Sequence, residues 1–306
     1  MILNGVEIED TFAEAFPMYY GRVVITAATR RWALAAALEA KGLGTSSTMK
    51  PRAPGEAGIE CEMKNVDTPD GRPGYVLIVG EMKKEEIAYY LITRIRKGAF
   101  PVPTTSAFDV MPKEMVVDKI YVKGTPLQTF GDGFEEIVDL YGRSLYKVPR
   151  MDGFFYVDTQ LGITRGVAGG NLLIMGESQA AALLASETAV NAIEEVPFAF
   201  VVGAYGAGPA GSGTKVGGLV YKDATATLNH VYCPPIANKA KDSKVPQGVN
   251  CIYEVCIDGL NLAAVKTAMK VGIKAAVKIE GVKKITSANF GGNLGTTMIN
   301  LRDVLP

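Results

Sequence analysis

Residues 170–189, GNLLIMGESQAAALLASETA, decide the fold class because they read as a buried strand, a turn and an alanine-rich helix in succession. Residues 21–40, GRVVITAATRRWALAAALEA, repeat the same order in the first half of the chain. Each half also contains a second strand followed by a helix, beginning with YVLIVGE (75–81) and with CIYEVCI (251–257). Strands that alternate with helices indicate packed layers of both element types.

Two strand–helix pairs in each half, together with further short strands, are typical of a split βαβ unit. We therefore predict an α+β protein with two ferredoxin-like α/β sandwich lobes, residues 1–149 and residues 150–306. Residues 109–165 interrupt the alternation of strands and helices with short β-type runs such as SLYKV and GFFYV. Additional β segments are therefore expected between the lobes. The similarity of the halves also predicts a duplication.

Bulk properties exclude several classes of function. The chain has 306 residues, and 32 basic side chains balance 32 acidic ones, so no net field attracts nucleic acid or a membrane surface. No apolar run reaches the roughly 18 residues that a membrane-spanning helix needs. The N-terminus carries acidic residues where a signal peptide would be basic, which predicts a cytoplasmic protein.

Metal ligands are scarce in the sequence. The chain has four cysteines and one histidine, His230. Cys251 and Cys256 are an odd number of residues apart on one predicted strand, so they point to opposite faces and cannot share an ion. We expect no metal site, and a lone histidine beside a strand is more often structural than catalytic.

One glycine pattern resembles a dinucleotide-binding fingerprint. Gly206, Gly208 and Gly211 in GAYGAGPAGSG (203–213) have the required spacing. The fingerprint also needs a helix immediately afterwards, to present free amide N–H groups to the pyrophosphate. The next residues are again rich in glycine, which costs about 1 kcal/mol per interior helical position. A glycine-rich loop is the better interpretation, and a nicotinamide-dependent dehydrogenase remains the weaker alternative.

Glu254 is the residue that the sequence singles out for chemistry. It lies in CIYEVCI, where strand alternation gives it a face with Ile252 and Cys256, and both faces of that strand are mostly apolar. Desolvation is expected to raise the pKa of such a carboxyl group toward neutral pH, as acid–base catalysis requires. A glutamate at a solvent-exposed strand end, or in an internal ion pair, is the structural alternative.

Several turns rich in Gly, Ser and Thr could line a ligand cleft, because glycine admits a ligand close to the main chain and a helix start favours anions. Ordinary turn chemistry is the alternative for each of them. The candidate binding residues in these turns are Thr104, Thr105, Ser178, Gln179, Ser212, Lys215 and Asn289. Arg72, in the turn TPDGRPG (68–74), is either a carboxylate clamp or a solvated loop residue. No GxxxxGK[ST] motif indicates ATP-driven phosphate chemistry.

A family resemblance runs through the whole chain, starting at NGVEIEDTFAEAFPM (4–18). The further matching segments are EAGIE (56–60), TPDGRPG (68–74), PTT (103–105), FGDGFE (130–135), YKVP (146–149), VAGGN (167–171), GESQ (176–179), SGTKVG (212–217), YEVCIDG (253–259), GIKAAV (272–277) and NFGGNLG (289–295). In these segments the chain resembles the formylmethanofuran–tetrahydromethanopterin formyltransferases.

The resemblance implies an enzyme that transfers a formyl group reversibly between methanofuran and tetrahydromethanopterin, which act as coenzyme substrates without a bound prosthetic group. It implies a homotetramer built as a dimer of dimers. Glu254 matches the family's proposed acid–base glutamate, and Lys215 matches a lysine suited to the carboxylates of the coenzymes. The metabolic setting, methanogenic or formaldehyde-oxidising, is left open.

The sequence departs from the family pattern at residues 48–55, 122–130 and 198–212. These differences keep a second interpretation open, in which the chain is a coenzyme-binding subunit of a bacterial formyltransferase/hydrolase complex and depends on hydrolase partner chains. Activity of the purified chain alone would distinguish the two.

Overall fold

The computed structural model describes residues 1–42, 44, 55–203 and 229–305. Contacts within the chain define two compact units. The internal unit contains Met18–Gly42 and Ala57–Arg165. The terminal unit contains Met1–Pro17, residues 44, 55 and 56, and the described residues from Gly166 onward. These contacts group residues 150–165 with the internal unit and residues 1–17 with the terminal unit. The division of the sequence into two consecutive lobes at Pro149 stays a prediction.

The described elements alternate between strands and helices, as the sequence predicts. The strands are β1 (Ile2–Leu3), β2 (Val6–Ile8), β3 (Phe12–Thr26), β4 (Glu56–Met63), β5 (Gly74–Glu81), β6 (Ser106–Asp109), β7 (Asp118–Tyr121), β8 (Glu136–Leu140), β9 (Arg143–Arg150), β10 (Gly153–Asp158), β11 (Gln160–Gly176), β12 (Ala199–Val202), β13 (Cys251–Gly259), β14 (Val282–Thr286) and β15 (Thr297–Asn300). The α-helices are α1 (Arg30–Lys41), α2 (Lys84–Arg94), α3 (Gln179–Ile193), α4 (Leu262–Ala276) and α5 (Leu301–Val304).

The two units share one strand order. In the internal unit the neighbouring strands are β4, β5, β3 and β6, and the chain runs β3–α1–β4–β5–α2–β6. In the terminal unit they are β12, β13, β11 and β14, and the chain runs β11–α3–β12–β13–α4–β14. Both are the split βαβ arrangement of a ferredoxin-like lobe. The predicted α+β class with two such lobes is confirmed, and residues 21–40 and 170–189 occupy equivalent places in them.

Small side chains let the helices pack closely on their sheets. In α1 the buried stripe consists of Ala33, Ala36, Ala37 and Ala40, which recur at helical spacing. The helix begins at Thr29, whose hydroxyl accepts the N–H of Trp32 at 3.4 Å. The internal unit has its own apolar core, which contains these alanines and buried side chains of its sheet.

The terminal unit has a separate core, in which α3 and α4 cover one face of β11 and β13. Val255 and Ile257 of β13 point toward these helices and are fully buried. The opposite face of the same strands carries the polar groups described in the next section. Among the described residues, no helix is both long and apolar enough to cross a membrane.

Candidate active site

Glu254 lies in the middle of β13, in the terminal unit. It stands opposite Leu173 of β11, which in turn stands opposite Thr286 of β14. Cross-strand partners share a face of the sheet, so these three side chains form one row on the face away from α3 and α4. The alternation predicted for Glu254, Ile252 and Cys256 is therefore present.

The immediate surroundings of Glu254 are apolar. Leu173, Met175, Val249 and Ile252 form a buried cluster on this face, and the partly buried side chains of Tyr232, Val245 and Ala288 pack against it. The Glu254 side chain belongs to a residue that is only 7% exposed. The Glu254 carboxyl group therefore lies on a largely apolar face of the sheet, with little access to solvent.

Charged groups line the next strands of the same face. Lys284 of β14 contacts Glu9 at 3.0 Å and Glu7 at 3.1 Å. Burial acts in the opposite direction, but hydrogen bonds from Lys284 and Thr286 hold the pKa of Glu9 below its ordinary value. Burial likewise opposes ionisation of Lys284, yet its hydrogen bonds to Glu9 and Glu7 raise the pKa of this ammonium group. Glu9 and Lys284 are therefore a charged pair at neutral pH.

Asn289 lies close to this face of the sheet. It follows Ala288, which packs against the cluster beside Glu254 and exchanges backbone hydrogen bonds with the Asn171 side chain at 2.8 and 3.0 Å. The Asn289 amide donates to the Thr11 hydroxyl at 3.1 Å, and its oxygen accepts the N–H of Gly291 at 3.2 Å. Among the predicted binding residues, Asn289 is the one whose neighbour in the chain, Ala288, packs against the cluster beside Glu254.

Ser178 and Gln179 lie at the start of α3. Ser178 is the N-cap, and its hydroxyl accepts the N–H of Ala181 at 3.1 Å, so the predicted helix start is confirmed. The Gln179 amide reaches the Tyr253 hydroxyl at 3.5 Å. Tyr253 points to the helix side of β13, opposite to Glu254. Both residues thus adjoin the other face of the strand that carries the glutamate.

Thr104 and Thr105 lie in the internal unit. The Thr105 hydroxyl is buried and contacts the carbonyls of Ala99 and Val102 at 2.8 and 2.9 Å. Thr104 has a left-handed φ of 65°, unusual for a β-branched residue, and its N–H donates to Asp152 at 2.7 Å. These contacts fix the shape of the turn. Ser212, Lys215 and the glycines at 206, 208 and 211 lie outside the described residues.

Arg72 binds a carboxylate of its own turn. Its Nε donates to Asp70 at 2.7 Å, and its Nη2 donates to the hydroxyls of Thr26 at 3.1 Å and Ser106 at 2.9 Å. Arg72 is therefore not a freely solvated loop residue, and the carboxylate that it binds belongs to its own turn.

A second buried glutamate, Glu14, was not singled out by the sequence. It is 2% exposed in β3, and its carboxylate accepts four backbone N–H groups of the 289–295 loop. The donors are Phe290 and Gly292 at 2.6 Å, Leu294 at 2.7 Å and Gly295 at 3.2 Å. The glycine-rich loop NFGGNLG, predicted to line a ligand cleft, therefore directs these amides to the protein's own carboxylate.

No metal-binding cluster is present in the described parts of the chain, where no group of three or more His, Cys, Asp or Glu side chains could hold an ion. All four cysteines lie in the described part of the chain, and none of them forms a disulfide bond. What the described geometry offers is a carboxyl group on an apolar sheet face, bordered by one charged pair and a polar loop.

Fold and site together define a two-lobed α+β protein whose candidate centre is a buried carboxyl group. The sequence model described as "Formylmethanofuran-tetrahydromethanopterin formyltransferase" matches residues 1–150, and the model described as "FTR, proximal lobe" matches residues 153–304. The chain belongs to the formylmethanofuran–tetrahydromethanopterin formyltransferase family.

Curated relatives cover the chain from end to end. The formylmethanofuran–tetrahydromethanopterin formyltransferase of Methanopyrus kandleri is 47% identical over 99% of this chain and 100% of its own length. The enzyme of the same name from Methanocaldococcus jannaschii is 46% identical and covers 99% of both chains.

Two solved structures have the same fold. The formyltransferase of Methanosarcina barkeri matches with a TM-score of 0.90 and 43% identity, over 100% of both chains. A chain of the formyltransferase/hydrolase complex of Methylorubrum extorquens, solved with methylofuran, matches with a TM-score of 0.87 and 33% identity. That alignment covers 100% of this chain and 99% of the other.

Proposed function

We propose that this chain catalyses the reversible transfer of a formyl group between formylmethanofuran and tetrahydromethanopterin, with Glu254 as the acid–base group. The family membership supports the reaction. The observation that carries the residue assignment is the position of Glu254, buried at 7% exposure in an apolar cluster of the terminal unit. A buried carboxyl group held on a rigid strand is the kind of side chain that can serve as general base and then as general acid in one proton transfer.

Formyl transfer requires one proton to move from the attacking nitrogen to the leaving nitrogen. A ring nitrogen of tetrahydromethanopterin attacks the formyl carbon, and the carbonyl electron pair moves onto oxygen to give a tetrahedral oxyanion. The Glu254 carboxylate takes the proton of the attacking nitrogen and then donates it to the amine nitrogen of methanofuran. The carbonyl re-forms as that carbon–nitrogen bond breaks, so the products are the formylated pterin and the free amine. Atoms and charge balance without a redox partner.

The apolar cluster has a second function in this mechanism. Leu173, Met175 and Ile252 keep hydration of the Glu254 carboxyl low, so that the proton is passed between nitrogens and is not lost to bulk water. Water that reached the tetrahedral carbon would release formate. Exclusion of water therefore decides whether the enzyme transfers or hydrolyses.

The proposed substrate-binding residues are Thr104, Thr105, Ser178, Gln179, Ser212, Lys215 and Asn289. Among the described ones, Asn289 adjoins the Ala288 contact of the Glu254 cluster, and the Gln179 amide makes only a long contact of 3.5 Å. Asn289 lies on the Glu254 side of the sheet, whereas Gln179 adjoins the helix side of the same strand. Thr105, whose hydroxyl is buried against two carbonyls, would act through the shape of its turn.

Assembly and location complete the proposal. The family resemblance supports a homotetramer and a cytoplasmic enzyme of one-carbon metabolism. The alternative, a subunit that works only with hydrolase partners, is favoured by one observation, the 33% identical chain of the Methylorubrum complex. The relatives named as formyltransferases are more similar, with identities up to 47%, and they support the independent enzyme.

The Glu254→Gln variant tests the assignment, because it keeps the shape of the side chain but cannot accept the proton. We expect turnover in a two-coenzyme assay to fall at least tenfold, and typically by about 10²–10⁴, with the melting temperature unchanged. Glu187→Gln, at an exposed position of α3, is the matched control and should retain full turnover.

Each possible result has a defined meaning. Full turnover in Glu254→Gln would refute the residue assignment. A wild-type chain that transfers no formyl group alone, but hydrolyses it when hydrolase subunits are added, would replace the main proposal with the alternative.

A further inference from the structure

Tyr232 lies directly beside Glu254 but has no place in the mechanism so far. It ends the 3-10 turn Asn229–Tyr232, and its ring packs on the cluster that contains Leu173 and Ile252. Leu173 is the cross-strand partner of Glu254, and Ile252 is the next side chain along β13 on the same face. The phenol ring therefore packs on the immediate neighbours of the glutamate, on the same face of the sheet.

The Tyr232 hydroxyl makes no hydrogen bond to another described residue. The other polar groups of this face are engaged, since Lys284 binds Glu7 and Glu9, and Thr286 binds Glu9. The Tyr232 residue is partly buried. The amino group of Lys244 lies 5.7 Å from the centre of the ring and helps to hold it in place.

The phenol keeps its proton under all working conditions. Burial, and then the negative charges of Glu9 and Glu254, raise the pKa of Tyr232 to about 12. At neutral pH the group is a neutral O–H donor that has lost part of its hydration. A donor of this kind is suited to an anion that exists only briefly.

The tetrahedral intermediate supplies such an anion. Its negative oxygen forms at the carbon whose nitrogen substituents exchange a proton with Glu254, so it must lie within a few ångströms of that carboxyl group. We propose that the Tyr232 hydroxyl donates a hydrogen bond to this oxyanion, which makes Tyr232 a second catalytic residue. This inference rests on the proposed formyl transfer.

The charged side chains around Tyr232 are compatible with a negative oxygen at this position. Glu254 becomes neutral as it takes the proton from the attacking nitrogen, so it does not repel the new oxyanion. Glu9 is the other carboxylate near the phenol, and its charge is balanced by Lys284 at 3.0 Å. Lys244 adds a positive charge on the ring side.

The test is Tyr232→Phe in the full-length chain, because this change removes only the hydroxyl. Loss of one oxyanion donor typically lowers kcat by about 10²–10³, so we expect a loss of this order with KM for both coenzymes within about twofold. Tyr89→Phe, at an exposed position of α2, is the matched control and should behave as wild type. A kcat for Tyr232→Phe within about threefold of wild type would overturn the inference.

A second measurement separates catalysis from structure. Sulfur accepts hydrogen bonds more weakly than oxygen, so a thioformyl analogue of formylmethanofuran should reduce the kcat penalty of Tyr232→Phe by at least about fivefold. An equal penalty with both substrates would assign Tyr232 a structural role instead. If Tyr232→Phe does not fold, 3,5-difluorotyrosine at position 232 keeps the ring and strengthens the donor. In that case unchanged kinetics would overturn the inference.

The two proposals can fail separately. If Glu254→Gln is inactive and Tyr232→Phe is fully active, only the oxyanion assignment is lost. If Glu254→Gln retains full turnover, the acid–base assignment fails first, whatever Tyr232→Phe shows.

Discussion

At the scale of single residues, Asp109 of the internal unit is a carboxyl group held where ionisation is costly. It lines a solvent-accessible cavity of about 620 Å³ and accepts the N–H of Gly162 at 3.0 Å. Burial raises the pKa of Asp109 to about 6, with the charge of Asp158 adding to the effect and the Gly162 hydrogen bond opposing it. The carboxyl group therefore titrates near neutral pH in the folded protein.

We predict that Asp109→Asn stabilises the protein above pH 6. The folded state holds the Asp109 proton more tightly than an unfolded chain, where the pKa is near 3.8. The associated stability is complete below about pH 4 and is lost as the pH rises through 6. The asparagine oxygen can still accept the Gly162 N–H, and no charge is left to bury. Thermal melts should show a gain of about 1–2 kcal/mol at pH 8.

The same gain should disappear at pH 4, where the wild-type carboxyl group is already neutral. Asp139→Asn, at an exposed position of β8, is the control and should show no such dependence on pH. A gain that is equal at both pH values would mean that Asp109 is not the titrating group.

The sequence signal that identifies Glu254 also applies to Glu14. Each is a lone carboxylate in an apolar strand, CIYEVCI or TFAEAF, and each is buried. Only the contacts distinguish them, because Glu14 accepts four amide N–H groups from a loop about 280 positions away in the chain. A pattern of neighbouring residues cannot contain that partner. Tyr232 could not be predicted for the same reason.

At the scale of elements, the 289–295 loop depends on Glu14. Burial works against ionisation, but the hydrogen bonds from Gly292, Leu294, Phe290 and Gly295 hold the pKa of Glu14 below its ordinary value. The carboxylate therefore anchors a loop that has no regular structure of its own. Asn289 begins this loop, so the anchor also positions a proposed substrate contact.

We predict that Glu14→Gln destabilises the protein by about 2–3 kcal/mol at pH 7, because an amide nitrogen would face N–H groups that need an acceptor. A depressed folded pKa contributes stability above the unfolded value of about 4.5, and this contribution is lost as the pH falls through the folded pKa. Denaturant titrations of both proteins should therefore converge at acidic pH.

Glu114→Gln, at an exposed position, is the matched control for Glu14→Gln and should unfold like the wild type at every pH. Equal stability of Glu14→Gln and wild type at pH 7 would contradict the anchoring role of the carboxylate.

The elements show why sequence patterns identified the strands but not their full length. Two adjacent glycines usually indicate a turn, yet Gly169 and Gly170 lie inside β11, where the pairing with β13 shifts register. Gly169 has a φ of 97°, and a Cβ there would come within 2.3 Å of the Glu14 carbonyl oxygen. The glycine is required by a close backbone approach in the middle of a strand, which local sequence cannot distinguish from a turn.

The end of α2 gives a second example. A glycine such as Gly98 commonly ends a helix, but here the chain continues from Arg94 into a π-helical turn over Ile95–Ala99. A Cβ at Gly98 would lie 2.3 Å from the backbone of Ala40 in α1. Close contact between two helices requires this glycine, and that contact is tertiary information.

At the scale of the whole molecule, the proposed tetramer can be tested directly. In the terminal unit, Leu184 is 53% exposed and Met298 is 53% exposed, and apolar side chains of this kind are commonly covered at subunit contacts. Light scattering coupled to gel filtration should give the mass of four chains, unchanged on tenfold dilution. A mass of one chain at micromolar concentration would contradict the proposed assembly.

Strand pairs of the terminal unit join residues that are far apart in the chain, so the two partners of a pair are synthesised at different times. Glu7 of β2 pairs with Lys284 of β14, and Ala13 of β3 pairs with Ile299 of β15. A ribosome that adds about 5–20 residues per second makes the first partners on the order of tens of seconds before the second ones. During that interval the opening strands emerge with unsatisfied backbone edges, while Met18–Gly42 and Ala57–Arg165 are already available to fold together. Glu7 and Ala13 therefore lack these strand partners until β14 and β15 have been made.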